Sequence, residues 1–145
     1  MPLTFSEIIL LLRHKYPLLL IDGVTHVEPF QLCHAFKNLT YNEWFFPSHF
    51  PTDPILPGSL IIEAFTQAVA IPLLVDNIIF KNIEIPLLLV AVDKVRYYKS
   101  VHPGDRLDIV VDNIHQGMGL ITSNVSGYVD GVLISNCKIT YKQNL

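Results

Sequence analysis

His49 and Glu63 are the two side chains whose types and settings best suit proton transfer near neutral pH. His49 stands between Phe46 and Phe50 in a segment punctuated by Pro47, Pro51, Pro54 and Pro57. Glu63 falls among Leu60, Ile61, Ile62, Ala64 and Phe65. An ionised carboxylate on so apolar a surface is costly unless it is paired or hydrogen-bonded. A histidine and a carboxylic acid at one apolar cleft are what general acid–base catalysis requires. From pattern alone, His49 also reads as a satisfied loop histidine, and Glu63 as a solvated helix face or half of a salt bridge. Ser59, Glu63 and Gln67 recur at four-residue spacing, so a helix puts them on one face, with Thr66 beside them.

Other chemistries find less support. The histidines form no His-x-x-x-His pair and no Cys/His ligand set, so no metal site is expected. Ser59 lacks a nucleophile-elbow context and reads as a helix-capping residue. Arg13-His14-Lys15 reads as the solvated end of a helix. Cys33 and Cys137 have no Cys-x-x-Cys spacing and are expected to be free, half-buried strand residues. There is no Gly-rich phosphate loop.

These residues need elements to hold them. Thr4-Phe5-Ser6-Glu7 has capping-box spacing before Ile8–Leu12, which predicts a short helix broken by Pro17. Strands are expected at Leu18–Val27 and Gln31–Thr40, with a turn at Glu28-Pro29. Residues 42–57 combine prolines with Trp44, Phe45, Phe46 and Phe50, and are expected to be ordered but irregular. Pro57-Gly58-Ser59 opens a long helix, apolar around most of its circumference and therefore buried. Four more strands follow, Leu87–Lys99, Arg106–His115, Leu120–Val129 and Val132–Tyr141. His102-Pro103-Gly104-Asp105 suits a type II turn and Asp130-Gly131 a tight hairpin. The fold class is α+β: a curved, mostly antiparallel sheet of about six strands wrapped around one long central helix.

Composition limits the setting. The length, 145 residues, fits a single domain over 1–145. Half the residues are apolar and only 16% are charged, which excludes disorder and implies a large core or a covered surface. A net charge of −3 argues against nucleic-acid binding. Pro57–Val75 is the best window for a membrane span, but Glu63, Thr66, Gln67 and Pro72 interrupt it, so no span is expected. Ile8–Leu12 lacks the flanks and cleavage site of a signal peptide, and the expected location is the cytoplasm.

The segment Ser48–Ala68, with the pattern His49-Phe50-Pro51-x-x-Pro54-x-x-Pro57-Gly58-x-Leu60-x-x-Glu63, closely resembles the signature of the 3-hydroxyacyl-[acyl-carrier-protein] dehydratases. Arg13–Asp22, Lys37–Glu43, Asp93–Arg96 and Pro103-Gly104-Asp105 extend the resemblance from roughly Ser6 to Lys142. The resemblance implies a hot-dog fold and dehydration of 3-hydroxyacyl carrier thioesters to trans-2-enoyl thioesters, in fatty-acid or related acyl or polyketide synthesis. It implies His49 as catalytic base, Glu63 as catalytic acid and Gln67 as the acid's support. The Gly58 N–H would meet the thioester oxygen. No cofactor is implied.

It further implies a homodimer with composite sites, each pairing the histidine of one subunit with the glutamate of the other, and a trimer of dimers as a larger assembly. The acyl carrier protein is the expected partner, docking near Lys94, Arg96 and Lys99; the stretch Asp93–Arg106 has four cations against two carboxylates. The family commonly has Gly where this chain has Ser48 and Thr52, Pro at Trp44, Arg at Gly23 and an apolar residue at Ser59. Two other functions stay open at this point, a hot-dog thioesterase and a non-catalytic carrier-binding subunit.

Overall fold

A computed structural model describes residues 1–80 and 86–143. Residues 81–85 and 144–145 of the expected single domain lie outside the described residues. Helix α1 spans Phe5–Leu11 and starts as the capping box requires. Thr4 Oγ1 accepts from the Glu7 N–H at 3.3 Å, and Glu7 Oε2 accepts from the Thr4 N–H at 2.6 Å. The helix stops well short of Pro17. Leu12 turns extended, and Lys15 Nζ donates to the carbonyls of Ile9 and Leu12 that a longer helix would have used.

Strands β1 (Gly23–Glu28) and β2 (Leu32–Asn38) form a hairpin. The expected strand at Leu18–Val27 therefore begins five residues late. Its first part finds its hydrogen bonds elsewhere: the Leu20 N–H and Leu18 C=O are both taken by the side chain of Gln67. A connector follows, irregular as expected except for one 3₁₀ turn at Phe46–Ser48 opened by Pro47. Helix α2 then runs Gly58–Phe80. Its Phe65, Ala68, Val69 and Ile71 are fully buried.

Strands β3 (Leu87–Tyr97), β4 (Arg106–Gly117), β5 (Leu120–Val129) and β6 (Val132–Gln143) complete a six-stranded antiparallel sheet in the order β1-β2-β4-β5-β6-β3. Period-two alternation works as expected in β4, where Leu107, Ile109 and Val111 face the core. The turns also follow their residues. Gly104 takes φ +93° after Pro103, and Asp130-Gly131 and Met118-Gly119 have positive φ throughout, as two-residue hairpins prefer. Sheet and helix meet closely: a Cβ on Gly127 would lie 2.9 Å from the Phe65 ring. This is the hot-dog arrangement, with α2 as the wrapped helix. Gly58–Asp76 is apolar enough to cross a membrane by composition, but 67% of it is buried inside the fold.

Candidate active site

His49 owes its position to the connector between β2 and α2. The near end is anchored by Lys37, which is buried and gives Nζ to Glu43 Oε1 at 2.6 Å, with Asp22 Oδ2 at 3.5 Å. Phe45 and Phe46 are sunk in the core and pack edge to face, so the chain cannot lift away. Leu56 N–H donates to the Val101 carbonyl at the far end. Between these anchors, Phe50 and Asp53 exchange two backbone hydrogen bonds, and the Ile55 N–H donates to His49 C=O at 2.8 Å.

The imidazole is then oriented. Its Nδ1 lies 3.0 Å from the Ile55 carbonyl, which can only accept. Nδ1 therefore carries a proton, and in the neutral ring Nε2 is the lone pair that a general base needs. The ring stacks on Phe50 with centroids 4.2 Å apart.

Gly58 opens α2, where helical N–H groups lack intrahelical partners and favour developing negative charge. Tyr97 covers this turn. Its hydroxyl donates to the Gly58 carbonyl at 2.9 Å, and a Cβ on Gly58 would meet the Tyr97 ring at 2.9 Å, so a larger residue would have to displace that ring. A cavity of about 310 Å³ lies here, with Ile55, Gly58, Ile61, Tyr97 and Lys99 among its walls.

Glu63 belongs to a second cluster along α2. Gln67, fully buried, donates Nε2 to Glu63 Oε1 at 3.0 Å and to the Leu18 carbonyl at 2.8 Å. The polar stripe is therefore graded, from exposed Ser59 through half-buried Glu63 to fully buried Gln67. Tyr141 lies nearby, its hydroxyl donating to the Thr66 carbonyl at 2.7 Å. Burial raises the Tyr141 pKa, so the phenol stays neutral.

Some expectations need correction. His14 is not a solvated helix end: Nε2 lies 3.3 Å from Glu63 Oε1. Around the expected docking residues the strand is irregular: a bulge between Asp93 and Arg96 adds a residue and puts Lys94 at φ +54°. Arg96 Nη1 donates to the neighbouring Val95 carbonyl, and Lys99 alone of the three lines the cavity. Cys33 and Cys137 are fully rather than half buried, and burial pushes their thiols up to about 12 and about 11, so neither serves as a nucleophile. Among the described residues no hydrogen bond or ion pair joins His49 to Glu63; each sits in its own cluster.

Three of the departures from the family pattern, Ser48, Thr52 and Gly23, have local accounts. Ser48 and Thr52 are outside the positive-φ residues, so no glycine is needed at either position. Ser48 Oγ donates to the Phe45 carbonyl. Gly23 makes room for Phe36, whose ring would lie 2.4 Å from a Cβ there and is covered by the Arg106 guanidinium at 3.9 Å. Nothing in the structure explains Ser59. Tyr97 and His14 are the site residues that spacing alone did not expose, since each reaches α2 from a distant part of the chain. The signal for His14 was its place in the Arg13–Asp22 motif.

Comparison with known proteins gives the family. The model of the FabA-like domain family matches residues 12–138. The chain belongs to the FabA-like family. Among FabA-like relatives, it is 42% identical over 137 residues to the 3-hydroxyacyl-[acyl-carrier-protein] dehydratase FabZ of Shewanella woodyi, covering 92% of this chain and 88% of that one. The FabZ of Clostridium tetani is 46% identical over 113 residues, 77% of each chain. In fold, this FabA-like chain is similar to a chain of the dehydratase heterocomplex ApeI:P from Xenorhabdus doucetiae, with a TM-score of 0.78 at 18% identity, covering 99% of this chain and 92% of that one.

Proposed function

We propose that this FabA-like protein dehydrates 3-hydroxyacyl-[acyl-carrier-protein] thioesters to trans-2-enoyl thioesters in fatty-acid or related acyl synthesis. The observation that carries the reading is the His49 tautomer. The Ile55 carbonyl holds Nδ1–H and leaves Nε2 free to take a proton, and Ile55 itself lines the cavity at the α2 N-terminus.

His49 Nε2 removes the C2 proton of the substrate. The electron pair forms the C2=C3 bond as the C3–O bond breaks. Glu63, protonated, gives its proton to the departing hydroxyl, which leaves as water. Negative charge grows on the thioester oxygen during proton removal, and the Gly58 N–H stabilises it there. Proton transfer from His49 back to Glu63 through solvent resets the pair. Gln67 holds the acid in place.

Each site is composite, with Glu63 supplied by the partner subunit of a homodimer. The separation of His49 and Glu63 into different clusters within one chain supports this. So does β3, an edge strand that leaves Leu88, Leu89 and Val90 about half exposed. The acidic carrier approaches Lys99 at the cavity wall, with Lys94 and Arg96 on the same stretch of chain, in the cytoplasm. Assaying 3-hydroxyacyl and 2-enoyl carrier thioesters tests the reaction. Reversible hydration without thiol release supports it, whereas thiol release would identify a thioesterase. Mixing inactive His49→Ala and Glu63→Gln subunits after dissociation should restore activity, and no recovery despite proven exchange would place both groups in one chain.

A further inference from the structure

Glu63 Oε1 faces two nitrogens. One is Gln67 Nε2 at 3.0 Å, and the other is His14 Nε2 at 3.3 Å, reaching in from the segment between α1 and β1. That segment is not a loose loop. Lys15 Nζ ties it to the carbonyls of Ile9 and Leu12, the Lys15 carbonyl accepts from the Leu18 and Leu19 N–H groups, and Gln67 clamps Leu18 and Leu20. His14 is thus held on both sides, with its side chain about two-thirds buried.

The other ring nitrogen fixes the role. His14 Nδ1 is buried and has no hydrogen-bond partner. A proton there would be an orphaned N–H, whereas a bare lone pair is the less costly orphan. The proton therefore sits on Nε2, the nitrogen that lies 3.3 Å from Glu63 Oε1.

We infer that His14 is a positioning residue for the acid of the proposed dehydration: its Nε2–H and the Gln67 amide both face Glu63 Oε1, one as a close polar contact and one as a hydrogen bond, so the transferable proton resides on Oε2. The inference rests on Glu63 being that acid. A carboxyl group with one oxygen faced by two N–H groups presents its O–H in one orientation, instead of exchanging the roles of its two oxygens. Tyr141 does not compete for this place, because its hydroxyl is committed to the Thr66 carbonyl.

The test compares His14→Phe, His14→Met and His14→Gln in the full-length protein on a 3-hydroxyacyl carrier thioester. Phe and Met remove the donor, while Gln keeps an N–H at similar reach. We expect His14→Phe and His14→Met to lower kcat about tenfold or more with KM within about twofold, because misorientation acts on the chemical step. His14→Gln should recover most of that loss, and all three should melt close to the parent. If His14→Phe fails to fold, the Met and Gln pair carries the comparison. In a Glu63→Gln background, His14→Met should cost nothing further, as expected for two residues acting as one unit. Equal kcat in His14→Met and His14→Gln, or losses that add in the double variant, would overturn the inference. Parent-level turnover in Glu63→Gln would instead overturn the assignment of the acid.

Discussion

Replacing Gln67 with leucine is the sharpest structural perturbation the site offers. The two side chains have similar volume, so the change removes polar atoms and leaves packing nearly intact. Three hydrogen bonds disappear: Leu20 N–H to Oε1 at 2.8 Å, Nε2 to the Leu18 carbonyl at 2.8 Å, and Nε2 to Glu63 Oε1 at 3.0 Å. Gln67 and Leu20 are both buried, so water cannot replace the first bond. An orphaned buried N–H costs about 1–3 kcal/mol, and the lost bond to Leu18 adds about 1 kcal/mol. The loss of about 2–4 kcal/mol should lower Tm by roughly 5–12 °C in a domain of this size. Activity should fall beyond what unfolding explains, because Glu63 loses its shorter tether. Thermal and urea unfolding at matched protein concentration, with kcat measured well below the transition, separates the two effects. A Tm within about 2 °C of the parent would refute the reasoning, since it would mean the Leu18–Leu20 backbone finds other partners at little cost.

Three further outcomes follow from the same contacts. Lys37→Met leaves Glu43 and Asp22 without their buried cation; it should cost about 2–4 kcal/mol in urea unfolding, and Lys37→Met/Glu43→Leu should recover much of it. Gly23→Ala sets a methyl group against the Phe36 ring and should cost about 1–3 kcal/mol, relieved by Phe36→Leu in the double variant. Lys99→Glu should slow turnover of carrier-linked substrate, as added salt should, while leaving a short carrier-free thioester nearly unaffected; equal losses on both would remove the docking role.

What the sequence made legible was what depends on near neighbours. The capping box at Thr4 and Glu7, the inward run of Leu107, Ile109 and Val111, and the Asp130-Gly131 hairpin are each decided within a few residues. The connector carrying His49 was also legible, because its prolines exclude regular structure and its aromatics exclude disorder. Leu18–Asp22 was misread as strand for the opposite reason. Its pattern is apolar enough for a strand, but the Gln67 side chain occupies hydrogen bonds that a neighbouring strand would have used. The bulge at Lys94 has the same character: only the register between β3 and β6 decides it. His14 was overlooked because charge on either side makes Arg13-His14-Lys15 look solvated, whereas tertiary contact turns its ring toward Glu63.

The division of labour between His49 and Glu63 is tested most directly by the rate of hydration and dehydration of carrier-linked substrate in His49→Ala and Glu63→Gln. Each folded variant should lose at least about 10² in kcat/KM, the scale of a positioned acid or base. Turnover near the parent rate in either variant, with folding intact, would contradict the account.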